Sequence, residues 1–449
     1  MSDANIKSRI YWFIANPFTI ATGFYSLAWG LTYAALRLKW GTSLGLLNPF
    51  LLAADFLIPL VLILALVGLI RKPLKSFRWF GLLFILFFVG VMANLFVFNV
   101  HLMNYGDVGT LSGMIGHNEV FPRWMLGTGI LDFVISHVSF PFFGPGDDLL
   151  LVKTLSALVM CFSAVFLLIL FPNRLSLLLA FSSPFWLLFS SGYDEYYPFI
   201  APLFILFMLF ISTKIDRRFS AILIGIFAAV VGTTYAGFIP LSLIILFVFA
   251  IWQGVKKGLV ALLVWLITGL LLIILFNGTD LVGFWKSFVF NLNLIDPEIS
   301  PGPFISGTPF YKPMYALGAE NCDRMLLQFF WTGSFPYLLL VIGGTVYLFV
   351  QRKAGSSRNQ MLFLGLFLAY QFLYFVFMVP RLGTVVDIDL FFTLYISLAF
   401  TAGWLLDRIA EHLEERTQKS LRLAGFSFCA GSTAMVTLYL LFLGLYALV

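Results

Sequence analysis

The chain has 449 residues, of which 61% are hydrophobic and only 11% charged, with 53 Phe and a formal net charge of +6. A soluble domain carries about 25% charged residues. This composition excludes an ordinary water-soluble fold, because no interior of this size could hide so much apolar side chain from water. A β-barrel would show short segments of alternating hydrophobicity. Here the apolar runs are long and continuous. The fold class is therefore an all-α polytopic membrane protein.

The N-terminus reads Met-Ser-Asp-Ala-Asn-Ile-Lys-Ser-Arg and leads into a long aromatic apolar stretch, so no cleavable signal peptide is expected. Runs of spanning length fall at about 14–36, 49–70, 78–98, 149–170, 174–190, 197–213, 219–234, 237–252, 258–276, 335–350, 361–379, 389–406 and 425–447, which makes about thirteen helices. The stretch 219–252 is broken only by Gly-Thr-Thr-Tyr-Ala-Gly. As one helix it would be about 50 Å long, too long for one crossing, so two short helices in a hairpin are expected. Cys161, Cys322 and Cys429 are far apart and give neither metal-ligand spacing nor a disulfide framework.

The positive charge follows membrane topology and gives no sign of nucleic-acid binding. With the N-terminus in the cytoplasm, the inner segments hold 19 of the 27 Lys and Arg and 6 of the 21 acids, net +13. The outer segments hold 8 bases, Lys153 among them, and 14 acids, net −6, with Asp55 inside a span. Thirteen spans then place the C-terminus outside. The excess of outer carboxylates is a signal separate from the basic bias, because topology is set by Lys and Arg. The longest inner segment, about 407–424, reads as a solvated amphipathic helix through Asp407, Arg408, Glu411, His412, Glu414, Glu415 and Arg416.

The outer side has two long segments, 99–148 and 277–334, and two short polar turns. The first long segment gathers His101, His117 and His137 with Asp107, Glu119, Arg123, Asp132, Asp147 and Asp148. Asp107 follows the third span by about nine residues and stands between Gly106 and Gly109, where it can reach a lipid head group. The plainer role for it is to cap a helix starting at Val108. Residues 122–139 read as an interfacial helix carrying Arg123, Asp132 and His137. Asp194 and Glu195 are adjacent acids among Tyr193, Tyr196 and Tyr197 in a short turn. They can ligate a divalent cation or orient a sugar hydroxyl, or the turn is a solvated cap for a helix beginning at Pro198. Asp387 and Asp389 suit a helix N-terminus. Arg381, between Pro380 and Gly383, places a guanidinium at membrane depth, where it can fork onto phosphate. The chain holds no GxSxG elbow, HExxH helix or P-loop.

These residues resemble the GT-C class of integral-membrane glycosyltransferases, which includes oligosaccharyltransferases, protein O-mannosyltransferases and the lipid A aminoarabinose transferases. The nearer resemblance is to bacterial members with a Gly-Tyr-x-Glu-x-Tyr pattern, matched by Gly192, Tyr193, Glu195 and Tyr197 with the last Tyr doubled. Their late Arg-Asp-x-Asp-Leu-Phe pattern is matched by Asp387, Asp389, Leu390 and Phe391, with the arginine displaced upstream to Arg381. In that class the acidic loop follows the first span, whereas here it follows the third. On this reading residues 1–75 are an added transmembrane hairpin and 76–276 a GT-C-like core. Residues 277–334 form the second outer loop, and 335–449 the C-terminal transmembrane helices.

The resemblance implies inverting sugar transfer from a polyprenyl-phosphate donor to a glycan, lipid or protein acceptor at the extracytoplasmic face of a cell membrane. It makes Asp107 the general base. Arg381, Arg324 and Lys312 would bind the leaving phosphate, with a divalent cation, Mg or Mn, as a further source of positive charge. Asp194, Glu195 and Asp389 would hold the acceptor, the sugar or that metal. Two other classes fit an outer-face multispan protein: a transporter or flippase of a lipid-linked glycan or small solute, and a glycan polymerase or ligase. Midplane charges would mark the former and basic outer loops the latter.

Overall fold

The computed structural model describes residues 78–96, 129–130, 134, 148–171, 174–193, 195–212, 220–234, 238–277, 322, 325, 328–329, 334–350, 358–377, 391–413 and 415. The expected spans at 14–36, 49–70 and 425–447 lie outside these residues. The described residues are 92% helical and include no strand. Eleven helices are described: α1 (Arg78–Phe96), α2 (Asp148–Leu170), α3 (Leu175–Phe181), α4 (Pro184–Phe189), α5 (Tyr197–Ser212), α6 (Ser220–Thr234), α7 (Ile239–Gln253), α8 (Val255–Asn277), α9 (Phe335–Val350), α10 (Arg358–Phe377) and α11 (Phe392–Ala410).

Among the described residues three helical stretches are long and apolar enough to cross a membrane: Asp148–Leu170, Val255–Leu275 and Asn359–Val376. The second has a mean hydropathy of 2.9, yet only 11% of it is buried inside the protein. Leu259, Leu263, Leu266, Leu270 and Leu271 stand exposed along it. A soluble protein rarely exposes so continuous an apolar surface, and lipid is the solvent that suits it. Its opposite side approaches α6 closely: a Cβ on Gly225 would lie 2.5 Å from the Ala261 carbonyl oxygen and 2.7 Å from Val264 Cβ. Small residues let helix backbones meet in this way where no hydrophobic effect drives helices together.

The stretch 219–252 is a pair of short helices, α6 and α7, as its length requires. From α7 the chain turns into α8 through one residue, Gly254, at φ +94. Glycine enters that conformation without steric cost. Lys256 and Lys257 therefore sit in the first turn of α8, where the sequence reading has a connecting segment.

The expected span 174–190 is two helices, not one. The break falls at Ser182-Ser183-Pro184. Proline lacks an N–H and suits the first position of a new helix. The Ser183 hydroxyl accepts the Trp186 backbone N–H at 3.3 Å, capping α4. The Ser182, Ser183 and Ser190 hydroxyls donate to the carbonyls of Leu178, Ala180 and Trp186 at 2.6–2.7 Å, so these serines stay satisfied inside the bundle.

α11 is the spine. It packs against α3, α4, α5, α9 and α10, and 17 of its 19 residues are buried. Near its end the Asp407 carboxylate accepts the backbone N–H groups of Leu175 and Ser176. Near its start Phe392 packs against Phe189, Tyr197, Phe204 and Phe238. The α3–α4 segment thus runs antiparallel to α11. Asp407 departs from the sequence expectation: it is only 7% exposed and belongs to α11, so the solvated stretch starts after it. Glu411 and His412 are exposed, and Arg408 pairs with Glu411 at 2.9 Å.

Within 122–139, where an interfacial helix is expected, Gly129, Ile130 and Val134 are helical and Val134 is buried; the rest of that stretch lies outside the described residues. Gln328 and Phe329, counted in the second outer loop, are buried too, with Phe329 packed on Phe372, Phe375 and Tyr395.

Candidate functional site at the turn after α4

Of the sequence-derived site residues, Glu195 is described. Asp107, Asp194, Asp389, Arg381, Arg324 and Lys312 lie outside the described residues. So do Arg123, Asp132, Asp387 and the three histidines of the 99–148 segment. Glu195 sits in the turn between α4 and α5.

This turn is interior. Ser190, Ser191, Tyr193, Tyr196 and Tyr197 are all buried, and Glu195 is 6% exposed. The turn is not the solvated cap that the sequence allowed. Gly192 adopts φ +91, which reverses the chain at the end of α4. The Tyr193 ring stacks on Phe189 with centroids 4.7 Å apart. Tyr197 packs on Phe392 at 5.0 Å, and Phe185 on Tyr395 at 4.9 Å. The Tyr196 hydroxyl donates to the Tyr197 hydroxyl at 3.0 Å. Aromatic rings from α4, α5 and α11 make a floor on which the turn rests.

α2 forms the wall. A Cβ on Gly192 would lie 3.3 Å from the Lys153 carbonyl oxygen and 3.4 Å from Lys153 Cβ. The same point would be 3.4 Å from Leu95 Cδ1 of α1. Lys153 is fully buried, in the run Leu150-Leu151-Val152-Lys153-Thr154-Leu155. It stands five residues into α2, about 7–8 Å from the start of that helix. A charge count treats it as one more outer base. Its actual signal is a lone lysine inside a 23-residue apolar helix, too far in for an ordinary end anchor.

Comparison with known protein families, curated proteins and solved structures returned no match. The site offers a carboxylate, an ammonium-bearing side chain and two tyrosine hydroxyls within an apolar, aromatic setting. A low-dielectric enclosure strengthens every hydrogen bond and charge interaction made in it. No group of three or more His, Cys, Asp or Glu side chains suited to a metal occurs among the described residues.

Proposed function

We propose that the chain is a membrane glycosyltransferase of GT-C type, moving a sugar from a polyprenyl-phosphate donor to an acceptor hydroxyl at the extracytoplasmic face. The observation that carries this reading is the buried Tyr-rich turn holding Glu195, a carboxylate set among aromatic rings inside an apolar helical bundle. Carboxylates and aromatic rings together suit a sugar: the rings cover its C–H faces and the carboxylate accepts hydrogen bonds from its hydroxyls. A donor with a lipid tail arrives within the bilayer, so its sugar is met at the membrane–water boundary.

The transfer is a single displacement. Asp107 takes the proton of the acceptor hydroxyl as its oxygen bonds the anomeric carbon. The bond from that carbon to the phosphate oxygen breaks on the opposite face, inverting the centre. The electron pair leaves with the polyprenyl phosphate, whose charge Arg381, Arg324 and Lys312 stabilise. Asp194, Glu195 and Asp389 position the acceptor and sugar. The test is Asp107→Asn. It should abolish glycan transfer at normal membrane expression, and full activity in that variant removes Asp107 as the base.

One observation favours a transporter instead. The α3–α4 segment is a broken helix, a feature that transporters use to line substrate paths. Cysteine pairs that cross-link on opposite faces of the bundle according to substrate would support alternating access. A substrate-independent pattern would leave the transferase reading in place.

A further inference from the structure

Among the described residues the buried charged side chains are Lys153, Glu195 and Asp407. Asp407 accepts the amides of Leu175 and Ser176 at the start of α3. The α3–α4 segment runs from there to Phe189, about 20 Å away at helical rise. Asp148 shares α2 with Lys153 but stands five residues earlier, about 140° around the helix. Glu195 lies three residues after Gly192, and Gly192 packs on the Lys153 backbone. An ammonium shut inside an apolar bundle is very costly unless a carboxylate compensates it. Charged groups within membrane helices accordingly pair with one another.

We propose that Lys153 and Glu195 form an ion pair inside the bundle, with Lys153 as the positioning residue that keeps the Glu195 carboxylate ionised. The pair ties α2 to the turn between α4 and α5. It also fixes the chemistry of Glu195. An ionised carboxylate beside an ammonium accepts hydrogen bonds from neutral polar groups such as sugar hydroxyls. It is a poor ligand for a divalent cation, because the neighbouring positive charge opposes a second one. This inference stands apart from the glycosyl-transfer reading, and its test needs no enzymatic activity.

The test combines a double-mutant cycle with carboxyl labelling of the purified full-length protein. Dicyclohexylcarbodiimide, which partitions into apolar interiors, reacts with a protonated carboxyl group. The acid proton passes to a carbodiimide nitrogen as the carboxyl oxygen bonds the central carbon, and rearrangement gives a stable N-acylurea seen by peptide mass spectrometry. The wild type should show no adduct on Glu195, and neither should Lys153→Arg. Lys153→Met should gain one. Lys153→Met and Glu195→Gln should each lower the thermal midpoint, and the double variant should melt above either single variant. An unlabelled Glu195 in Lys153→Met, or strictly additive losses in the double variant, would overturn the pair. So would recovery of Lys153→Met by Asp194→Asn but not by Glu195→Gln. Should Lys153→Met fail to fold, recovery of folding by added Glu195→Gln supports the pair, and no recovery overturns it.

Discussion

The Asp407 carboxylate accepts the backbone N–H of Leu175 at 3.2 Å, joining residues 232 apart in sequence. A second bond from Ser176 N–H, at 3.4 Å, completes the cap of α3. Arg174, the residue before α3, makes no side-chain cap of its own. The first turn of this buried helix is thus satisfied from another helix. Asp407→Ala should destabilise the protein by about 1–3 kcal/mol, the usual cost of leaving buried donors unpaired. Asp407→Asn keeps one acceptor oxygen and should lose less. Thermal unfolding in detergent, followed by tryptophan fluorescence, measures both.

One helical turn before Asp407, Gly403 lets α11 meet the start of α3. A Cβ there would overlap the Leu175 carbonyl and lie 2.5 Å from Ser176 Cα. The obstacle is backbone, which cannot swing aside. Gly403→Ala should cost about 1–3 kcal/mol through overpacking. Gly269 is the control, since an added Cβ there meets nothing within 4 Å. Gly269→Ala should be neutral or stabilising by up to about 1 kcal/mol through helix propensity. Equal losses in the two variants would refute the close approach of α11 to α3.

Most helices were legible because apolar run length translates directly into helix length. α2, α5, α6 and α7 begin and end within about two residues of the expected boundaries, the scatter usual for helix ends. The two-helix reading of 219–252 followed from its length, the Gly-Thr-Thr-Tyr-Ala-Gly break and the basic residues at both ends. The break in 174–190 was written in Ser182-Ser183-Pro184 but lost inside a continuous apolar run. Charge counting could not reveal that Asp407 and Lys153 are buried. It assigns a residue to a side of the membrane by position in the chain, whereas burial depends on which helix lies opposite. Glu195 could be picked out as an unusual acid among tyrosines. That its turn is interior could not, because the covering surfaces come from α1, α2 and α11, far away in sequence.

The basic bias makes a prediction about sidedness. Lys257 and Glu411 are assigned to the inner face, and Asp148 to the outer. In a chain without native cysteines, Lys257→Cys and Glu411→Cys should react with a membrane-impermeant maleimide only from the cytoplasmic side. Asp148→Cys should react only from the opposite side. Labelling of Lys257→Cys and Asp148→Cys from one and the same side would overturn the topology on which an outer-face site depends.

The interhelical bond from Gln371 Nε2 to Ser397 Oγ, at 3.2 Å, joins α10 to α11 in the apolar interior. Such bonds between membrane helices average about 0.6 kcal/mol. Ser397→Ala should lower stability by about that much, well below the loss from Asp407→Ala. Paired unfolding curves in one detergent give the comparison.

Transfer of a sugar from a lipid phosphate releases the lipid phosphate, and purified protein incubated with a panel of polyprenyl-phosphate sugars and a mixed acceptor pool gives free polyprenyl phosphate as the readout. Release that requires acceptor and disappears in Asp107→Asn is the predicted result. A correctly folded, membrane-inserted protein that moves the lipid-linked sugar across vesicles without cleaving it would make the chain a transporter and not a transferase.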